Sequence, residues 1–186
     1  MMARTRTVWT ALLVALLAAM VLSLPGEGGQ AVAVEPRLAT GKIMIPAAAF
    51  SPAQSFPSVA GWNYLNSGDR LDPVGYGGVF VAPVDFPRPL VSVTGITLYA
   101  WDSDPTGAVS VALYRSTPAQ GDDATVRQAR VETVNSAADP QVVSTQYRIY
   151  AAAVSRGIHS SYLWLTLPSE GILYGVQITY TYQTGG

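Results

Sequence analysis

"LVSVTGITLYAWDSDPTGAVSVALYR", residues 90–115, decides the fold class. In its first half Ile96, Leu98 and Ala100 share one face while Thr97, Tyr99 and Trp101 share the other, because successive side chains of a strand point to opposite sides. In its second half Val109, Val111 and Leu113 repeat the aliphatic face, with Ser110, Ala112 and Tyr114 opposite. Upstream the phase slips: Val91 and Val93 occupy odd positions, so a bulge is predicted near Thr94-Gly95. Between the halves lies a run of bend residues. Asp captures its own backbone, Pro fixes φ and Gly accepts φ > 0. The stretch reads as two antiparallel strands joined as a hairpin.

The same period of two recurs outward from it. "SYLWLTLP" (161–168) sets Leu163, Leu165 and Leu167 against Tyr162, Trp164 and Thr166. In the last strand Ile172, Tyr174, Val176, Ile178, Tyr180 and Tyr182 are predicted on one face, and Leu173, Gly175, Gln177, Thr179 and Thr181 on the other. "KIMIP" (42–46) is a predicted first strand, "TVRQARVETV" (125–134) a polar edge strand and "VVSTQYRIYAA" (142–152) a further strand. "VFVAPVDFPRP" (79–89) reads as an edge strand running into a corner, since its prolines cannot donate to a central ladder. Ala47 to Gly78 is irregular and broken by Pro and Gly. No amphipathic helix of three turns and no internal repeat interrupts the pattern. Seven or eight short strands without helices predict an all-β fold, two antiparallel sheets packed as a sandwich or jelly roll.

The N-terminus differs. Arg4 and Arg6 precede an uncharged run from Val8 to Leu24, followed by Pro25-Gly26 and the small residues Ala31-Val32-Ala33. This predicts a signal peptide over residues 1–33, cleaved before Val34, and hence a secreted or cell-surface protein. The competing reading is an uncleaved anchor, because the run approaches the ~20 residues that span a bilayer; Pro25 and the glycines after it favour cleavage. Residues 34–41 read as a short leader and 42–186 as one β-sandwich domain. The chain contains no cysteine, so no disulfide can form. A chain of ~150 residues buries about 68–70% of its unfolded surface, enough to hold one domain without crosslinks or a structural metal.

The phrases "IPAAAF" (45–50), "FVAPVDFP" (80–87), "VTGITLYAWD" (93–102), "VALYR" (111–115) and "YGVQITY" (174–180) together resemble uncharacterised secreted bacterial all-β proteins of this size. In the usual version an acidic residue and Gly-Ala follow the proline corner, where this chain has Arg88-Pro89-Leu90. The resemblance implies secretion and a jelly-roll-like fold; it brings no activity with it.

Composition narrows the function. Eleven basic and twelve acidic residues give a net charge of −1 with no basic cluster, which argues against nucleic acid as a partner, because tracking a phosphate backbone takes clustered Lys and Arg. His159 is the only histidine; with no cysteine, the common zinc sites are excluded. Ser160 and Ser161 follow His159, yet there is no Gly-x-Ser-x-Gly elbow, and adjacent strand residues point apart. Asp102 and Asp104 are candidate oxygen ligands for calcium, as are Asp69 with Asp72 and Asp122 with Asp123. None matches an EF-hand loop, and bend chemistry is the stronger expectation for Asp102 and Asp104.

If the aliphatic faces point inward, Tyr99, Trp101, Tyr114, Tyr162 and Trp164 point outward. Five aromatic residues on an outer face require a reason. One is a self-association surface, since Tyr and Trp are enriched in the cores of protein interfaces. The other is a sugar-binding platform, in which rings pack on pyranose faces while neighbouring polar groups bond hydroxyls. Against both stands a cover of this face by the irregular stretch. The sequence thus predicts a secreted, non-catalytic β-sandwich with a structural or assembly role at the cell exterior, with itself as partner. A lectin-like module with glycan partners is the alternative and a hydrolase the third reading. Membrane contact is expected only through an uncleaved N-terminal signal.

Overall fold

A computed structural model of the chain describes residues 37–53, 63–120, 124–134 and 137–184. The chain divides into two units, Met1–Val34 and Glu35–Gly186, and all described residues belong to the second. The predicted signal peptide, with its cleavage site, lies outside them, as do Asp122 and Asp123. No helix among the described residues is long and apolar enough to cross a membrane.

The strands, in chain order, are β1 (Arg37–Pro46), β2 (Ser51–Pro52), β3 (Asn63–Asn66), β4 (Leu71–Val74), β5 (Gly78–Val84), β6 (Leu90–Asp102), β7 (Ser110–Ser116), β8 (Thr125–Glu132), β9 (Gln141–Ser144), β10 (Ala153–Ser155), β11 (Ser160–Leu167) and β12 (Gly171–Thr184). They form two antiparallel sheets. A seven-stranded sheet runs β10-β6-β12-β4-β3, with β1 also on β12 and β9 also on β6; a five-stranded sheet runs β2-β5-β11-β7-β8. The all-β, two-sheet sandwich expected from the alternation is the fold. Among the described residues there are twelve strands rather than seven or eight, because several are only two to four residues long and carry too few alternations to register as a period.

The aliphatic phases point inward as predicted. Ile96, Leu98 and Ala100 from one sheet and Val111, Leu113, Leu163 and Leu165 from the other belong to one buried cluster with Phe50, Phe80 and Val176. The phase slip near Gly95 is a bulge: across from β12, Thr179 pairs with Gly95 and Tyr180 with Val93, so Thr94 is left over.

Four expectations are corrected. Residues 37–41, read as leader, lie in β1, where Arg37 to Gly41 pair with Thr184 to Tyr180. Gly41 explains the weak strand signal: a Cβ there would clash with the phenol end of Tyr180, which lies across it. Gly41→Ala is expected to cost about 1–3 kcal/mol by displacing a buried ring, read as a lowered denaturation midpoint. Second, β5 is not an edge along its whole length, since β2 covers Phe80 and Val81. Third, the face assignment of β12 breaks at its start. A second bulge leaves Tyr174 unpaired between Leu173 and Gly175, so Leu173 enters the core and Tyr174 is exposed. Fourth, residues 90–115 do not form a hairpin. β6 belongs to the seven-stranded sheet and β7 to the five-stranded one, so the Asp-rich bend carries the chain over the end of the sandwich from one sheet to the other.

Candidate functional site

That crossing divides the predicted aromatic set. Tyr99 and Trp101 project from β6 on the seven-stranded sheet, whereas Tyr114, Tyr162 and Trp164 project from β7 and β11 on the five-stranded sheet. Trp101 and Trp164 therefore lie on opposite outer faces. Trp101 is half-buried, and its indole Nε1 donates to the carbonyls of Ala137 and Ala138 at 3.1 and 3.2 Å, a tether to the segment before β9.

The five-stranded sheet keeps its rings together. Cross-strand register makes one outward row of Pro83, Tyr162, Tyr114 and Arg127, and the next of Val81, Trp164, Ala112 and Arg130. Rows are ~6.7 Å apart along a strand and neighbouring strands ~4.8 Å apart. The rings of Tyr114 and Tyr162 stack, with centroids 5.3 Å apart and planes at 10°. Trp164 is 37% exposed, high for a tryptophan in a sheet centre. Burial, then the Tyr114 hydroxyl, raises the pKa of Tyr162, while a hydrogen bond with Thr125 opposes the rise. Tyr162 therefore stays a neutral hydroxyl donor at ordinary pH.

Polar groups rim the rings. A further outward row carries Thr166, Ser110 and Glu132, and at the other end Ser160, Ser116 and Thr125 form a row of hydroxyls. Arg130 pairs with Glu132 at 2.7 Å and reaches the Ser110 hydroxyl at 3.4 Å. The position of β8 is fixed in turn by Tyr147, whose hydroxyl accepts from the Arg130 N–H and donates to the Arg130 carbonyl.

The two candidate calcium ligands are engaged in the bend. Asp102 is fully buried, and accepts from the backbone N–H of Asp104 and Val109 and from the Thr133 hydroxyl. Asp104, 9% exposed, accepts from the Thr106 N–H and hydroxyl, the Gly107 N–H and the Ser169 hydroxyl. Both carboxylates thus hold backbone N–H groups and hydroxyls of the bend and its neighbours. Among the described residues no three His, Cys, Asp or Glu side chains gather as a metal site, and Asp69 and Asp72 engage Ser67 and Arg70 instead.

The donors from Thr106, its N–H first, then its hydroxyl, with Gly107, hold the Asp104 pKa below the ordinary carboxylate range. A depressed folded-state pKa stabilises above the unfolded value and is lost as pH falls through the folded one. The stability difference between wild type and Asp104→Asn is therefore expected to be full at neutral pH and to shrink below pH ~4, as read by denaturation at a series of pH values.

His159 lies between β10 and β11, where its Nδ1 accepts the Ser155 N–H at 2.9 Å. Burial, then the Arg115 charge, lowers its pKa, so the neutral ring carries its proton on Nε2. That tautomer presents a donor, not the acceptor a serine nucleophile would need.

No family model matches the chain, and no curated protein does. Some solved structures are similar at low identity. The xylan-binding module CBM15 is 12% identical with a TM-score of 0.43, over 76% of this chain and 97% of that one. A Bacillus thuringiensis Cry1Da tryptic core variant is 11% identical with a TM-score of 0.40, over 64% of this chain; the chain spans only 21% of its length. The CBM22-1-GH10 modules of a Clostridium thermocellum xylanase are 11% identical with a TM-score of 0.39, over 79% of this chain and 28% of that one.

Proposed function

We propose that this protein is a non-catalytic carbohydrate-binding module of the cell exterior, and that the outer face of its five-stranded sheet is the binding platform. One observation carries the reading: the exposed Trp164 indole stands beside the stacked Tyr114 and Tyr162 rings on a single sheet face. Aromatic rings suit pyranose faces, which are apolar, while the surrounding Thr166, Ser160, Thr125, Arg127 and Glu132 offer donors and acceptors for equatorial hydroxyls. The strands beneath are central and cross-paired, so the rings are held before a ligand arrives, and little ordering entropy opposes binding.

The test is depletion of the purified chain from solution by insoluble cellulose, xylan, mannan and starch, with a glycan array for soluble ligands. Retention on at least one of them is expected. Binding to none would overturn the platform.

Self-association is the second reading, favoured by a different surface. Leu38 and Leu90 are exposed beside a 430 Å³ groove on the seven-stranded sheet, at whose rim Arg88 lies 4.7 Å from the Tyr182 ring centroid. A mass that rises with concentration would support it, and a strict monomer would remove it.

A further inference from the structure

A cleft of 320 Å³ opens where β11 begins, lined by Pro83, Asp85, Phe86, Arg156, His159 and Ser161 among others. It meets the platform at Ser160 and Pro83. Trp164, Tyr162 and Ser160 project outward in sequence along β11, a lane ~13 Å long, and Ser160 is itself on the cleft wall. Pro83, the cross-strand partner of Tyr162, lies in both.

The cleft contains an anomaly. The Ser161 hydroxyl is buried without a hydrogen-bond partner, in a residue only 8% exposed. The buried Arg115 Nε and Gln128 Oε1 also lack partners, but neither residue lines this cleft. A hydroxyl in that position costs stability unless something supplies its bond. The same cleft is lined by the His159 ring, protonated on Nε2, and by Asp85, with buried Phe86 and Val84 as apolar walls. Arg156, on the turn leading into β11, pairs at 3.4 Å with Asp85, the residue after β5, and both line the cleft.

From these contacts we infer that the cleft is a terminal subsite that takes the last sugar unit of a glycan lying along the Trp164–Tyr162 lane. The inference rests on the platform reading. Its volume is at the small end for ligand pockets, with room for about one or two sugar rings rather than a passing chain. The Ser161 hydroxyl and His159 Nε2–H would bond ring hydroxyls that a mid-chain unit does not present there, so the module is an end-binder.

The unpartnered hydroxyl makes the test discriminating, because a structural role and a ligand role move stability in opposite directions. In the full chain, Ser161→Ala removes a buried unsatisfied group, and the ligand-free Tm is expected to rise by about 2–4 °C. Calorimetric titration with oligosaccharides of whichever cellulose, xylan, mannan or starch retains the protein should show about fivefold to tenfold weaker binding for the same variant. Partial acid hydrolysis of that polysaccharide, which multiplies chain ends, should raise the sites per gram. Unchanged affinity in Ser161→Ala, a capacity indifferent to hydrolysis, or a fall in its Tm would each overturn the subsite. If Trp164→Ala still loses binding in those cases, the platform survives. If no polysaccharide or oligosaccharide binds at all, platform and subsite fall together.

Discussion

Trp164→Ala is expected to weaken glycan binding roughly 30-fold, about 2 kcal/mol, the loss usual for an aromatic anchor at the centre of a binding surface. The ring stands on β11, the middle strand of its sheet, between the Tyr162 row and the Thr166 row, and more than a third of it is open to solvent. Removing it takes away apolar area that a ligand would cover but little that the core uses, so the ligand-free Tm should move by no more than a degree or two. Trp101→Ala supplies the opposite result. Its indole is half-buried and tethered through Nε1 to Ala137 and Ala138 on the other sheet's side, so stability should fall while affinity stays near wild type. Affinity titrations and thermal denaturation on both variants separate the two roles. Loss of binding in Trp101→Ala with retention in Trp164→Ala would move the site to the seven-stranded sheet.

The sequence carried the burial pattern because period-two alternation records which side of each strand faces the core. Leu163, Leu165 and Leu167 against Tyr162, Trp164 and Thr166 is such a record, and the β11 side chains follow it. The Thr94 bulge was legible for the same reason, as a slip between Val93 and Ile96. What alternation does not record is which strand lies next door. Val109, Val111 and Leu113 present the same aliphatic face whether β7 pairs with β6 in a hairpin or crosses to the opposite sheet, so Trp101 and Trp164 looked like neighbours. Tyr174 escaped for a related cause: an inserted residue shifts phase, and with tyrosines on both sides of the shift both phases read as plausible strands. The cleft left one signal that parity alone exposes. Ser161 occupies the same phase as Leu163 and Leu165, a hydroxyl at a core position, next to the only histidine in the chain.

Asp102→Ala should be the most destabilising substitution at the crossing, by about 3–4 kcal/mol, or a fall in Tm of roughly 10 °C. The carboxylate is fully buried at the point where the chain leaves one sheet for the other. One oxygen takes the Asp104 N–H, which starts the turn; the other takes the Val109 N–H, which begins the return, and the Thr133 hydroxyl at the end of β8. A single side chain thus ties the end of β6 to both strands that follow it in the other sheet. Alanine would leave those donors buried, with only the Thr133 hydroxyl, 3.0 Å from the Val109 N–H, as a partial substitute. Asparagine should rescue little, since its amide NH₂ must face donors on one side. Thr133→Val alone should cost less, and adding it to Asp102→Ala should cost less than the sum of the two, because the pair shares one bond. Equilibrium unfolding of the three variants checks this. Full additivity would mean that the Asp102–Thr133 contact contributes nothing to holding the sheets together, and the crossing would then depend on apolar packing alone.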